Sequence, residues 1–185
     1  MKAVMCGELF DGTELTLKSD WTLLIDGEKI ISSQPTSDSQ IPSDSEVLDA
    51  RAFTVIPGLI DCHDHIASFG YEIASRWGLT EQQSHRHMRI AATLRQTLQT
   101  GYTTIRDAGG LPAGFRNAIE EGLIPGPRLL ISIGIISPTG GIAGHLSPSG
   151  HQSPFSDDPA VPDGVANGPD GMRKKVREMI GAGAD

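Results

Sequence analysis

Six histidines are the residues best suited to chemistry in this chain: His63, His65, His85, His87, His145 and His151. Four of them form two His-x-His pairs, and geometry separates the pairs. On an extended strand, residues i and i+2 project from one face, so His63 and His65 can converge on one metal ion. On a helix, i and i+2 do not face each other. The apolar spacing around His85 and His87 predicts a helix over 80–100, so that pair reads as surface or packing residues. Neutral imidazole suits zinc, nickel, iron or copper. The competing reading of His63 and His65 is two imidazoles hydrogen-bonded at a strand end without metal. A catalytic zinc usually takes three protein ligands and a water, so two histidines need further ligands from elsewhere in the protein.

The neighbouring residues read as support. Alternation puts Asp61 on the face of His63 and His65, one step deeper, where it orients a ligand or pairs with a neighbouring strand. Asp64 falls on the opposite face and reads as structural. Arg106-Asp107 ends a second strand at the same rim and reads as an internal salt bridge. His145 and His151 fall in a long loop, where they contact substrate or face solvent. Gly140-Gly141-Ile142-Ala143-Gly144 lacks the spacing of a phosphate-binding loop, and no GxSxG nucleophile motif is present. Cys6 and Cys62 are too few for a disulfide framework and outside any CxxC pair, so they read as buried structural thiols in a reducing compartment rather than as zinc ligands.

Positioning these groups requires a scaffold. Trp21–Ile25, Asp26-Gly27 and Glu28–Ile31 predict a hairpin with a type I′ turn. Residues 32–45 read as an exposed polar loop, and Val47–Ile56 as a strand. Pro57-Gly58 marks a domain crossover, after which Leu59-Ile60 begins a short buried strand of the parallel type. A helix follows over 80–100, opened by a Thr80/Gln83 capping box, with Ala91, Leu94 and Leu98 on one face and Met88 alongside. Gly101 closes it. Then come a strand at Thr103–Ile105, a helix over about 112–121 stopped by Gly122, a strand at Arg128–Gly134, the loop 135–168 and a helix over about 170–181. The last has Met172, Val176 and Met179/Ile180 on one side. Alternation of this kind means parallel βαβ units, in a doubly wound sheet or a (β/α)8 barrel. The residues after Gly58 are about half of the roughly 250 a barrel typically needs. With the Gly181–Asp185 exit, this predicts an N-terminal piece of a longer protein. Two domains are expected: residues 1–57, a small β domain, and residues 58–185, the first part of a barrel. The loop 135–168 follows a strand, which puts it on the face where α/β active sites are built.

Composition narrows the partners. The 185 residues carry 15 Lys+Arg against 23 Asp+Glu, a net charge of −8, which argues against nucleic acid or an anionic membrane surface. No apolar run reaches spanning length, and the N-terminus lacks a signal-peptide core, so a cytoplasmic protein is expected.

Val55-Ile-Pro-Gly-Leu-Ile-Asp-Cys-His63-Asp-His65 resembles the amidohydrolase superfamily of metal-dependent hydrolases. Gly101-Tyr-Thr-Thr-Ile-Arg-Asp-Ala-Gly-Gly110 is similar to the second barrel strand of its imidazolonepropionase-like and prolidase-like branch. Gly126-Pro-Arg-Leu-Leu with Ser137-Pro-Thr-Gly-Gly141 resembles the third. The resemblance implies a (β/α)8 TIM-type barrel beside a β-sandwich-like N-terminal domain. It implies one or two metal ions, usually Zn2+ with other divalent metals as alternatives, held in part by His63 and His65. A bridging lysine, two further histidines and a catalytic Asp would lie beyond Asp185, and Gly181–Asp185 resembles the stretch before that lysine strand. Relatives commonly show Thr-Gly-Gly-His-Gly-Asp after the third strand. Here Thr139-Gly140-Gly141 runs into Ile142-Ala143-Gly144, so a substrate-binding histidine is either lost or shifted to His145. The implied activity is hydrolysis of an amide or peptide bond by metal-activated hydroxide. The implied substrates are dipeptides with C-terminal Pro, Arg or Lys, or N-acyl amino acids, and a homo-oligomer is expected. A cyclic amide of the imidazolone type is the alternative substrate. The alternative class is a non-catalytic metal binder or a half-barrel that joins a partner.

Overall fold

The computed structural model describes residues 1–68, 82–144 and 158–185. Its chain divides into two units, Met1–Pro57 and Gly58–Asp185.

Alternating apolar residues build the first unit. Strands β1 (Lys2–Leu9), β2 (Lys18–Asp26), β3 (Lys29–Pro35) and β4 (Glu46–Val55) form one sheet in the order β3-β2-β1-β4. β1 runs antiparallel to β2 and parallel to β4. Cys6, Leu9 and Leu23 form its buried cluster, with Val4, Trp21 and Val55 packed around them. This is a single layer rather than a sandwich, because β1 uses both its edges for pairing and all four strands end in one sheet. The hairpin turn also differs from type I′. Asp26 pairs with Lys29, so the central residues are Gly27 and Glu28, and of these Gly27 alone has positive φ, at 58°. Positive φ at the first central residue alone is the type II′ pattern. Ser32–Pro35 are strand rather than loop, since they pair with Trp21–Leu24 and the Trp21 indole N–H donates to Ser33 Oγ at 2.9 Å.

The second unit alternates strand and helix: β5 (Leu59–Asp64), α1 (Gln83–Gln99), β6 (Tyr102–Asp107), α2 (Gly114–Glu120), β7 (Arg128–Ile131) and α3 (Gly168–Gly181). The three strands form a parallel sheet in the order β5-β6-β7. Ile90 and Leu94 of α1, Ile105, Leu129 and Ile131 of the sheet, Phe115 of α2 and Met179 of α3 make one core. Each such side chain contributes about 1.5–3 kcal/mol when fully buried.

Departures from expectation follow from neighbours. β5 is an edge with one partner, so Ile60 is 65% exposed rather than buried. In α1 the buried residues are Ile90 and Leu94, while Met88 is exposed. The N-cap is Gln82, with no side-chain capping bond, and Thr80 lies outside the described residues. In α3 only Met179 is buried; Met172, Val176 and Ile180 are exposed. Gly101 and Gly122 do end their helices, with φ of 96° and 73°, values open to glycine at little steric cost. Among the described residues, no helix is long and apolar enough to cross a membrane.

Candidate metal centre

The three parallel strands end together. Asp64 pairs with Asp107, and Asp107 with Ile131, so the residues just beyond them form one rim. His63 and His65 stand there, at the end of β5. Their ring centroids are 5.3 Å apart, with planes at 75°. Two imidazoles sharing one tetrahedral ion through nitrogens about 2 Å from it have centroids about 5 Å apart, so the observed spacing fits a common cation.

Strand alternation does not account for this pairing. β5 takes three steps from Asp61 to Asp64 while β6 takes two from Ile105 to Asp107, an irregularity of the bulge kind. In register with Ile105 and Asp107, Asp61 and Asp64 share a face, and the expectation that they point oppositely is corrected. Each serves the backbone. Asp61 Oδ1 accepts the His63 N–H at 2.9 Å, and Asp64 Oδ1 accepts the His65 N–H at 2.7 Å. The Asp64 carbonyl accepts the Ala108 N–H at 2.7 Å, which extends the β5–β6 contact past the strands.

His65 Nδ1 lies 3.2 Å from the Gly109 carbonyl. A carbonyl can only accept, so Nδ1 carries the proton and Nε2 keeps its lone pair in the neutral ring. A backbone carbonyl on the nitrogen away from the ion is a usual partner of a metal-binding imidazole.

Asp107 does not form the expected salt bridge with Arg106, which is exposed while Asp107 is fully buried. Its Oδ2 accepts the Ile66 N–H at 2.9 Å and its Oδ1 the Gly109 N–H at 3.0 Å. Burial pushes the carboxyl up to about 6, against the two N–H bonds and the nearby His65, which favour the charged form. Sequence reasoning missed this role. The bond to Gly109, two residues on, is the local turn that Asp-x-Gly favours; the bond to Ile66 has no local signal.

The loop after β7 is laced at both described ends. Ser137 forms a parallel bridge with Val165, its N–H donates to Gly164 O at 3.1 Å, and its carbonyl accepts from Ala166 at 3.0 Å. Asn167 accepts the Thr139 N–H and donates to Thr139 Oγ1. His145 and His151 lie outside the described residues. His87 packs edge-on against Phe115 with centroids 5.5 Å apart, and its Nε2 is 3.3 Å from Asp158 Oδ2, a packing role apart from His63 and His65. Cys6 is buried as expected, but Cys62 is exposed on the edge strand β5, which corrects the buried reading for it. Among the described residues, no group of three or more His, Cys, Asp or Glu could hold an ion by itself.

The sequence model described as Amidohydrolase family matches residues 54–184. Ochratoxinase of Aspergillus niger is 34% identical over 92 residues, which is 49% of this chain and 19% of that protein. Imidazolonepropionase of Streptomyces griseus subsp. griseus is 37% identical over 62 residues, 34% of this chain and 15% of that protein. A prolidase solved with N-methylphosphonate-L-proline superposes with a TM-score of 0.81 at 29% identity, covering 99% of this chain and 44% of its own. The chain thus spans less than half the length of that relative. With a match over most of its length, and with His63 and His65 inside the matched region, this chain belongs to the amidohydrolase family.

Proposed function

We propose that the protein carrying this chain hydrolyses an amide or peptide bond of a small substrate at a divalent metal centre that includes His63 and His65. The carrying observation is the juxtaposition of the two imidazoles at the strand rim, with His65 Nδ1 3.2 Å from the Gly109 carbonyl. Divalent metals are general in the family, which supports the same reading. When bound, such an ion lowers the pKa of a water toward about 7 and polarises the scissile carbonyl. The chain's own residues bind and orient. His63 and His65 supply nitrogen donors, and Asp61 and Asp64 fix the backbone that carries them. The parallel β5-β6-β7 sheet and its helices support a (β/α)8 barrel completed by residues outside this chain.

Likeness to a prolidase favours dipeptides with C-terminal Pro, and by extension Arg or Lys, with N-acyl amino acids as the neighbouring class. The imidazolonepropionase relative favours a second reading, a cyclic amide of the imidazolone type. Zinc is the ion proposed first. The test takes the full-length protein, measures its metal content, and assays Xaa-Pro dipeptides and imidazolone propionate before and after chelation. We expect turnover that chelation abolishes and zinc restores. Replacing His63 and His65 with Asn should lower both metal content and turnover. Activity that survives chelation, or full metal occupancy in the double variant, overturns the reading.

A further inference from the structure

We propose that Asp107 is a positioning residue for His65: its carboxylate clamps Gly109 so that the Gly109 carbonyl keeps the His65 proton on Nδ1 and leaves Nε2 free to bind an ion. This rests on the reading of His63 and His65 as metal ligands. A buried carboxylate normally requires a cation, because desolvation disfavours its charge. Among the described residues, no Lys or Arg stands within ion-pair distance of Asp107. Its partners are the N–H groups of Ile66, the residue after His65, and of Gly109, the residue whose carbonyl meets the His65 ring. One side chain thus ties the backbone beyond His65 to the backbone that orients its imidazole.

Gly109 is held from a second side as well. The next N–H, that of Gly110, donates to the Ile133 carbonyl at 2.8 Å. Ile133 is buried with φ of 67°, a backbone region that a β-branched residue rarely occupies. The Gly134 N–H closes back on Ser132 O at 2.8 Å, making Ile133 the centre of a strained three-residue turn. Backbone strain of this kind persists only where its surroundings over-determine it, and such sites cluster at functional centres. Gly109 itself has φ of 141°, and a Cβ there would lie 2.9 Å from Ile135 Cγ1. The Asp107 carboxylate therefore holds the Gly109 N–H, the Ile133 carbonyl holds the N–H that follows, and between them they fix the Gly109 residue whose oxygen selects the His65 tautomer. A ring with its proton on Nε2 cannot use that nitrogen as a ligand.

The test reads the ring directly. Full-length protein labelled with 15N-histidine is stripped of metal, and long-range proton–nitrogen correlation shows which His65 nitrogen carries the proton. We expect Nδ1–H in the wild type; Nε2–H overturns the proposal with no variant needed. Asp107→Ala should mix the tautomers and weaken zinc binding, measured by chelator competition, at least tenfold. Asp107→Asn keeps one accepting oxygen and should fall between. Leu94→Ala, a buried core truncation, controls for lost stability and should leave the tautomer and zinc affinity within twofold of wild type. A folded Asp107→Ala or Asp107→Asn protein with wild-type tautomer and affinity overturns the positioning role. Wild-type His63 and His65 resonances that ignore added zinc overturn the metal reading instead, a distinct result because the tautomer is read without metal.

Discussion

In the Met1–Pro57 sheet, Asp11 sits against Lys18 and Asp49 against Arg51, near the surface. In Gly58–Asp185, Asp107 is buried and meets backbone N–H groups. The Lys18 ammonium and the Thr13 N–H hold Asp11 well below the usual carboxylate range, and the Arg51 side chain does the same to Asp49. Asp107 is moved the other way by desolvation. The cores differ in the same sense. One unit buries a small cluster around Cys6, Leu9 and Leu23; the other buries a core drawn from strands β6 and β7 and all three helices. The thinner unit rests on strand pairing with charges left in water. The thicker one can hold a destabilised acid inside, and it does so close to His65.

The largest effect should come from closing a backbone approach. A Cβ on Gly164 would lie 1.8 Å from Ile135 O, where Ser137 and Val165 bridge the loop ends. Gly164→Ala should cost about 3 kcal/mol or more, since backbone on both sides must move. Gly7 is its counterpart in the sheet, 2.2 Å from Arg51 O at the β1–β4 irregularity. Amide hydrogen exchange reads each unit separately, so Gly164→Ala should raise exchange in β7 and Gly7→Ala in β1. Unchanged exchange in both variants would break the claim that these approaches hold their units.

Core truncations come next. Leu94 is fully buried in the larger core, so Leu94→Ala should lower the urea-unfolding free energy by about 3 kcal/mol. Leu23 retains slight exposure in the thinner cluster, and Leu23→Ala should fall toward the lower limit of about 2 kcal/mol. The reverse order would show that the sheet unit carries more of the stability than its burial suggests.

What could be read in advance divides along physical lines. The strand–helix order after Gly58, the break at Pro57-Gly58 and the helix ends at Gly101 and Gly122 were legible because periodicity and glycine punctuation are local signals. The His-x-His spacing marks His63 and His65 as a pair, and their rings do meet, but along an irregular strand rather than by simple alternation. The irregularity between Asp61 and Asp64 was not legible, since it depends on how β5 pairs with a strand some forty residues later. The role of Asp107 is hidden for the same reason: its bond to Ile66 crosses the fold, whereas the nearest local partner the sequence offers is Arg106. Ile133 reads as strand by propensity, and the tertiary contact of its carbonyl with Gly110 prevails over that preference.

The opposite pKa directions make pH a way to separate the units. Asp107 has an ordinary value of 3.8 and a folded value of about 6, so the folded state binds its proton more tightly than the unfolded chain. Between those values the folded carboxyl is protonated and the unfolded one ionised. Stability of the metal-free protein must therefore fall as pH rises through that window and level off above it. The full shift corresponds to about 3 kcal/mol as an upper limit. Wild type minus Asp107→Asn, followed by urea unfolding from pH 4 to 7, isolates this slope. For Asp11 and Asp49 the sign is reversed: their stabilisation is present above the ordinary carboxylate value and disappears as pH falls below it. A difference curve that is flat, or that rises with pH, would remove the contrast.

The smallest effect is expected at the best-formed surface pair. Arg51 Nε and Nη2 reach the two oxygens of Asp49 at 2.9 and 2.6 Å, and the Arg51 N–H adds a third bond at 3.1 Å. That geometry is bidentate, the arrangement in which a charged pair is strongest. Both side chains are nonetheless more than half exposed, on an edge strand two residues apart. Water solvates both ions when the pair opens, and salt screens their attraction over about 10 Å at 0.1 M. The unfolded chain can also form this contact, because two intervening peptide bonds keep the groups close, so its net contribution to folding is smaller still. Asp49→Asn should leave the urea midpoint unresolved from wild type at 0.5 M salt, with at most a slight decrease at low salt. A midpoint shift approaching that of Leu23→Ala would mean that the thin sheet depends on its surface charges, and the division between a charge-indifferent surface and a costly buried acid would fall with it.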